Sequence, residues 1–262
     1  MKRKWLVALA FGCVAAVVYF ASMANYAFPG ESAHLQALWR GLDFATDCPY
    51  PLMAMFAKLL GSGNLLAPVC GVLATVLLFF LVDFFVRARV YGENTVAKVD
   101  GISLVATSVA SAVFMFSPAV RESATHLEPR LFDATWAMLL FALTIPFLRI
   151  ESALSLVCPV LMGALAAFGF CDSALFILLL PGFLGAIVAV RLSHEKKPYL
   201  ALTLFVFAFL IAFLFLRNWF GLELSEFLKK SAKEMRDCIS VKGWLFVVVF
   251  TTLPFVTTLF SS

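Results

Sequence analysis

The sequence predicts an all-α polytopic membrane protein of about eight transmembrane helices, with an interfacial helix in its first outer loop. Hydrophobic residues fill 63% of the 262 positions and charged residues only 14%. Soluble domains average about 45–50% apolar and about 25% charged residues, so this composition points to a bilayer as solvent. The apolar residues also fall in long windows. Hydrocarbon offers no water to bare backbone groups, so a crossing segment must be a helix of roughly 20 mostly apolar residues. Such windows lie at 5–24, 64–85, 101–120, 131–148, 152–171, 173–190, 198–216 and 243–260. Asp133, at the outer end of the fourth, and Asp83, near the inner end of the second, make those the softest boundaries.

The net charge of +4 matters less than its distribution, and nothing in the pattern suggests a nucleic-acid partner. Lys2, Arg3 and Lys4 precede the first window, which places the amino terminus in the cytoplasm by the positive-inside rule. Arg87, Arg89, Lys98, Arg149, Arg191, Lys196 and Lys197 then fall inside as well. The segment 217–242 runs against the rule, with Lys229, Lys230, Lys233, Arg236 and Lys242 outside and Glu223, Glu226, Glu234 and Asp237 partly offsetting them. The basic start and the small residues Ser22 and Ala24 also fit a signal peptide, the lesser reading. Cys13, Cys70 and Cys158 lie in windows as packing residues. Cys48, Cys171 and Cys238 fall on the outer side, where a disulfide is chemically allowed but no pairing is specified.

The chain reads as a single transmembrane domain, 1–262, with outer loops at 25–63, 117–130 and 217–242 and short inner connections. Long loops on one face place the work of the molecule there. In the first loop, 32–44 reads as an interfacial helix with Leu35, Leu38, Trp39 and Leu42 on one side and Gln36, Arg40 and Asp43 elsewhere. A second short helix, 52–60, follows the break at Pro49, Tyr50 and Pro51 and leads through Gly61 and Gly63 into the second window.

Two outer segments concentrate chemistry. Pro29-Gly30-Glu31-Ser32-Ala33-His34 holds a carboxylate just beyond the first window, where it could take a proton from a hydroxyl acceptor of a lipid-linked substrate. On the residues alone, the plainer role for Glu31, complementing a helix amino terminus, has the stronger claim. In the second loop, Arg121 and Arg130 suit a phosphate, while Glu128 or His126 suits orienting an acceptor or binding a metal. The alternative there is a solvated set of compensating charges, with Glu122 and His126 adjacent at helical spacing.

Asp83, four residues before Arg87, reads as an ion pair reaching to the inner interface, because a bare carboxylate at mid-membrane costs about 2.5–3.5 kcal/mol. Asp172 marks an outer helix end. The histidines show no metal-ligand spacing and no glycine-rich phosphate loop is present, which disfavours soluble nucleotide chemistry.

The order of these features resembles the GT-C class of membrane glycosyltransferases, specifically the protein O-mannosyltransferase-like family of multipass bacterial proteins. That family has a span, an outer loop beginning Gly-Asp-Ser-Gly-Glu, a His-Pro-Pro-Gly-Tyr-Pro-Leu segment, and a Gly/Asn turn into the second span. The matching stretches are Gly30-Glu31-Ser32-Ala33-His34, Thr46-Asp47-Cys48-Pro49-Tyr50-Pro51-Leu52 and Gly63-Asn64, with Glu128 at the family's second-loop Glu. The motifs reach to about Leu148, and hydropathy alone extends the likeness beyond.

The resemblance implies an inverting transferase acting at the outer face of a bacterial cytoplasmic (inner) membrane. It would use a polyprenyl-phosphate sugar donor and a protein or glycan acceptor. It implies Glu31 as catalytic base and sets Glu128 at the family's second-loop Glu; beside it, the residue reading takes Glu128, His34 and His126 as acceptor-orienting groups and Arg121 and Arg130 for the donor phosphate. The resemblance specifies no cofactor, and a divalent metal is left open.

The departures are Glu for Asp at the base, His34 for an acidic residue, the loss of His-Pro-Pro-Gly, and Pro129 after Glu128. A misplacement of about 1 Å costs on the order of 100-fold in rate, so the longer Glu31 bears on activity more than on ancestry. The close at Phe260, Ser261 and Ser262, inside an apolar stretch, suits either the amino-terminal part of a longer protein or a pared module. The rivals are a non-catalytic relative that binds lipid-linked sugar or a membrane partner, and a small-molecule transporter. A transporter should show inverted repeats or broken helices at the midplane, and Pro68, Pro146, Pro159, Pro181 and Pro254 do not pair in that way.

Overall fold

The computed structural model describes residues 2–23, 33, 35–37, 50–61, 63–90, 96–149, 157–173, 176, 180, 184, 198–225, 227–229, 232–233 and 236. Among them the secondary structure is helical, with no strand. The helices are α1 (Lys2–Ala21), α2 (Pro51–Leu59), α3 (Gly63–Val90), α4 (Val96–Phe116), α5 (Pro118–Thr125), α6 (Pro129–Arg149), α7 (Val157–Asp172) and α8 (Pro198–Phe220).

Three described helices are long and apolar enough to cross a membrane, over Arg3–Ala21, Gly63–Arg87 and Tyr199–Phe220, and a fourth if α4 and α5 form one bent span. The helix α6 coincides with the fourth predicted window but is not among them. The apolar α7 has only 16 residues, a length of about 24 Å against a hydrocarbon core of about 30 Å. The window at 243–260 and most of that at 173–190 lie outside the described residues.

The third window is not one straight helix. Pro118 disfavours the helical region for the residue before it, and Ser117 accordingly sits extended at φ −62°, ψ 136°. Ser117 Oγ then accepts from the Val120 N–H at 3.3 Å, and Pro118 takes the first turn of α5, where a missing donor costs nothing. The two helices meet at 59°.

Two other breaks use glycine. Gly61 at φ 73° ends α2, as the Gly61-to-Gly63 turn predicted. Gly221 at φ 65° ends α8. There the Leu222 N–H returns to the Arg217 carbonyl at 2.9 Å and the Gly221 N–H to Asn218 at 3.4 Å, the Schellman pattern.

The chain forms two compact units, Met1–Cys48 with Met53–Ala142, and Pro49–Leu52 with Leu143–Ser262. In the first unit, α1, α3 and α4 pack through small and hydroxylated residues. Ser103, Thr107 and Ser111 recur at helical spacing on α4 and are fully buried, opposite Ala15 and Tyr19 of α1 and Ala74 and Thr75 of α3. Thr107 and Thr75 donate to the carbonyls of Ser103 and Gly71, both at 2.8 Å, and Tyr19 donates to the Met115 carbonyl at 3.1 Å. Such bonds satisfy the hydroxyls of Thr75, Thr107 and Tyr19 in an apolar interface, whereas the buried Ser111 Oγ has no partner among the described residues. Phe56 of α2 meets Phe132 and Trp136 of α6 with ring centroids 5.9 Å apart in each case.

Of the predicted helix at 32–44, Ala33, Leu35, Gln36 and Ala37 are described, and all four are helical. Gln36 is buried with Leu35 rather than turned elsewhere, and donates from Nε2 to Asn64 Oδ1 at 2.5 Å. A partner at the start of α3 makes that burial tolerable.

In the second unit, α7 packs on α8. Ala167, Cys171 and Leu216 form a buried cluster flanked by Phe168, Phe209 and Phe213. Phe170 meets Phe209, Phe213 and Phe227 at 5.8, 5.5 and 5.1 Å. Asp172 closes α7, as the sequence reading had it, and its buried carboxylate accepts from the Leu52 N–H at 2.6 Å. That N–H lies in the first turn of α2, where unpaired donors favour a negative charge.

Candidate functional site

The second outer segment was read as a loop, and most of it is helix. Because α5 occupies Pro118–Thr125, the charges of 117–130 are fixed on a scaffold rather than dispersed. Ala124, Thr125 and Leu127 turn inward, while Arg121 and Glu122 are exposed. His126 caps α5 and its backbone N–H donates to the Glu122 carbonyl at 3.2 Å, so the helical spacing of that pair is real.

Glu128 sits between α5 and α6. Ser123 donates to Glu128 Oε2, and Arg130 Nε stands 3.9 Å from Oε1. Glu128 is 32% exposed and Arg130 is 90% exposed, so the ion pair itself contributes only about 0–1 kcal/mol. Most of the Arg130 donors therefore remain open to an anion. Glu128 also precedes Pro129, the first residue of α6. A carboxylate at a helix amino end followed by a first-turn proline is a favourable start signal, so the Pro129 departure has a structural meaning here.

The structure thus brings Ser123, Glu128 and Arg130 together and places His126 in the same connection. Arg121 is exposed on α5. Glu31 and His34, the first-loop candidates, lie outside the described residues. Among the described residues no three His, Cys, Asp or Glu side chains converge as metal ligands would. Cys13, Cys70, Cys158 and Cys171 are free thiols, and Cys48 and Cys238 lie outside the described residues.

A second polar cluster joins α1, α3 and α4. Arg87 Nε lies 3.0 Å from Asp83 Oδ1, the pair expected from their spacing. Sequence reasoning missed its other members: Lys4 and Ser103 also bond Asp83, Arg87 bonds Asp100, and Lys4 Nζ is 3.8 Å from Asp100. Two cations and two carboxylates make the group neutral, which is what a partly buried cluster needs. The available signal was positional, since each residue flanks the same-side end of an apolar window. The cluster puts the amino terminus and the α3–α4 connection on one side, and the Glu128 connection lies beyond the other end of α4.

Asp83 is 18% exposed and Asp100 48%, which ranks their substitutions. Asp83→Asn is expected to cost about 1.5–3 kcal/mol, the worth of hydrogen bonds to a charged group, and Asp100→Asn about 0–1 kcal/mol. Thermal unfolding of the two variants in one detergent checks the order, and a larger loss at Asp100 would remove Asp83 from the centre of the cluster.

No family model matches the chain, and neither the curated proteins nor the solved structures contain a match.

Proposed function

We propose that this protein is a membrane glycosyltransferase of the GT-C type that transfers a sugar from a polyprenyl-phosphate donor to a protein or glycan acceptor on the extracytoplasmic face. The reading includes about eight spans, the interfacial helix at 32–44, a cytoplasmic amino terminus and a bacterial inner-membrane location. The observation that carries it is the order of the first-loop motif, Gly30-Glu31-Ser32 followed by Pro49-Tyr50-Pro51-Leu52, with Glu128 beyond the far end of α4 from the amino terminus.

In this mechanism Glu31 takes the acceptor proton as the acceptor oxygen attacks the sugar carbon bearing the phosphate, which leaves as the lipid phosphate with inversion. Arg130 and Arg121 steady that phosphate. Glu128, held by Ser123, orients the acceptor together with His34 and His126.

One observation favours the non-catalytic alternative, a relative that binds lipid-linked sugar or a membrane partner: Glu128 already has a structural task at the start of α6. The transporter reading has less support. The Ser117 break falls near the far end of the 101–120 window rather than at its middle.

The experiment is transfer from polyprenyl-phosphate sugars in membranes containing the full chain, with donor binding measured separately. Transfer above membranes lacking the protein is expected. Donor binding without transfer across the donor panel would favour the non-catalytic relative, and neither would remove the reading. The orientation has its own check: cysteines introduced at Ser32 and Ser193 should label from opposite sides, and same-side labelling would sink the topology.

A further inference from the structure

Along the outward face of α1 runs an open apolar groove of about 870 Å³. Its walls are Trp5, Leu6 and Leu9, and its bed is Gly12, Cys13 and Ala16 with Val76 of α3. The depression arises from the sequence. Short side chains follow large ones along one helix face, and at Gly12 α3 comes so near that an added Cβ would stand 3.1 Å from Val76 Cγ2. Trp5, Leu6 and Leu9 are each more than half exposed, so among the described residues nothing closes the groove.

We propose that this groove is the seat of one anionic phospholipid from the leaflet that holds the amino terminus. The inference rests on α1 lying in a membrane and is independent of the transferase reading. From Trp5 to Ala16 the helix rises about 16 Å, close to half of a hydrocarbon core of about 30 Å, so the groove matches the acyl chains of a single leaflet.

Charge selects the headgroup. Lys4 is turned into the Asp83 and Asp100 cluster, whereas Arg3, one helical turn before Leu6 on α1, is exposed. A guanidinium there offers a phosphate its forked donors, and Trp5 lies at the depth where indole rings favour the interface. An annular lipid would meet only a convex apolar helix, while this lipid gains both an apolar bed and an exposed cation one turn away.

The test uses the full chain in nanodiscs of phosphatidylcholine and phosphatidylglycerol in equal parts, with retained lipids counted by native mass spectrometry. The wild type is expected to keep one phosphatidylglycerol in preference to phosphatidylcholine. Arg3→Gln, an exposed change that leaves the fold alone, should lower that preference about fivefold, the effect of one basic residue at a membrane surface. Cys13→Trp with Ala16→Phe should fill the groove and lose the retained lipid whatever its headgroup.

Retained lipid mirroring the disc composition, or equal retention by the filled variant, overturns the site. So does a Cys13–Cys13 cross-link showing that a second copy occupies the groove. Failure of the wild type to enter discs would instead overturn the membrane placement of α1, and with it the groove.

Discussion

Glu31→Gln is expected to lower sugar transfer about 10²–10⁴-fold while donor binding stays largely intact. The hypothesis is motivated by Glu31 standing at the first-loop position where the resembled family keeps its base. Gln keeps the shape and most of the hydrogen bonding but does not take a proton at neutral pH, so the loss falls on the chemical step. The two exposed arginines should behave differently. Arg130→Ala or Arg121→Ala removes a charged partner of the donor phosphate and should weaken binding as well as turnover.

Glu128→Gln separates orientation from packing, because Gln keeps an acceptor for Ser123 while losing the charge at the start of α6. Single-turnover transfer and equilibrium donor binding on the same membranes resolve these cases. Full transfer by Glu31→Gln would strip Glu31 of the base role even if the wild type is an active transferase.

The helices of this protein were legible because hydropathy acts locally. A run of apolar residues near α3 or α8 demands a helix whatever surrounds it, and Gly61 supplies its own stop by reaching a positive φ. The Ser117 bend was also written locally, in Ser-Pro, but the apolar window 101–120 runs straight through it. Apolarity reports solvent preference, whereas the bend is a steric matter of the proline ring.

The Lys4, Asp83, Arg87 and Asp100 cluster was legible only for the Asp83–Arg87 pair, whose members share a helix. The rest depends on how α1 and α4 are rotated about their axes, and near-uniform apolar helices carry little periodic signal for that. At the candidate site, Ser123 reaching Glu128 was hidden because 117–130 read as a loop, in which spacing along the chain has no fixed spatial meaning. Pro129, counted as a departure from the family pattern, had a local meaning as a helix start.

Gly163→Ala is expected to destabilise the second unit by about 2–3 kcal/mol, at the upper end of what over-packing costs, and Gly163→Leu by more. A Cβ at Gly163 would overlap the Phe205 carbonyl oxygen and lie 3.1 Å from the Phe209 backbone nitrogen. Those obstacles are backbone, so no side-chain rotation relieves them and α7 must move away from α8. The separation would loosen Ala167, Cys171 and Leu216 together with the Phe170, Phe209, Phe213 and Phe227 contacts. In lipid this matters more than in water, because helix association there depends on close packing rather than on expelling water.

Gly101→Ala is the control. It lies within α4 with nothing within 4 Å of an added Cβ, and by helix propensity alone the change should stabilise by up to about 1 kcal/mol. The pair therefore predicts opposite signs for the same substitution. Unfolding midpoints of both variants in a single detergent decide it, and a Gly163→Ala midpoint at or above the wild type would show that α7 and α8 do not meet at Gly163.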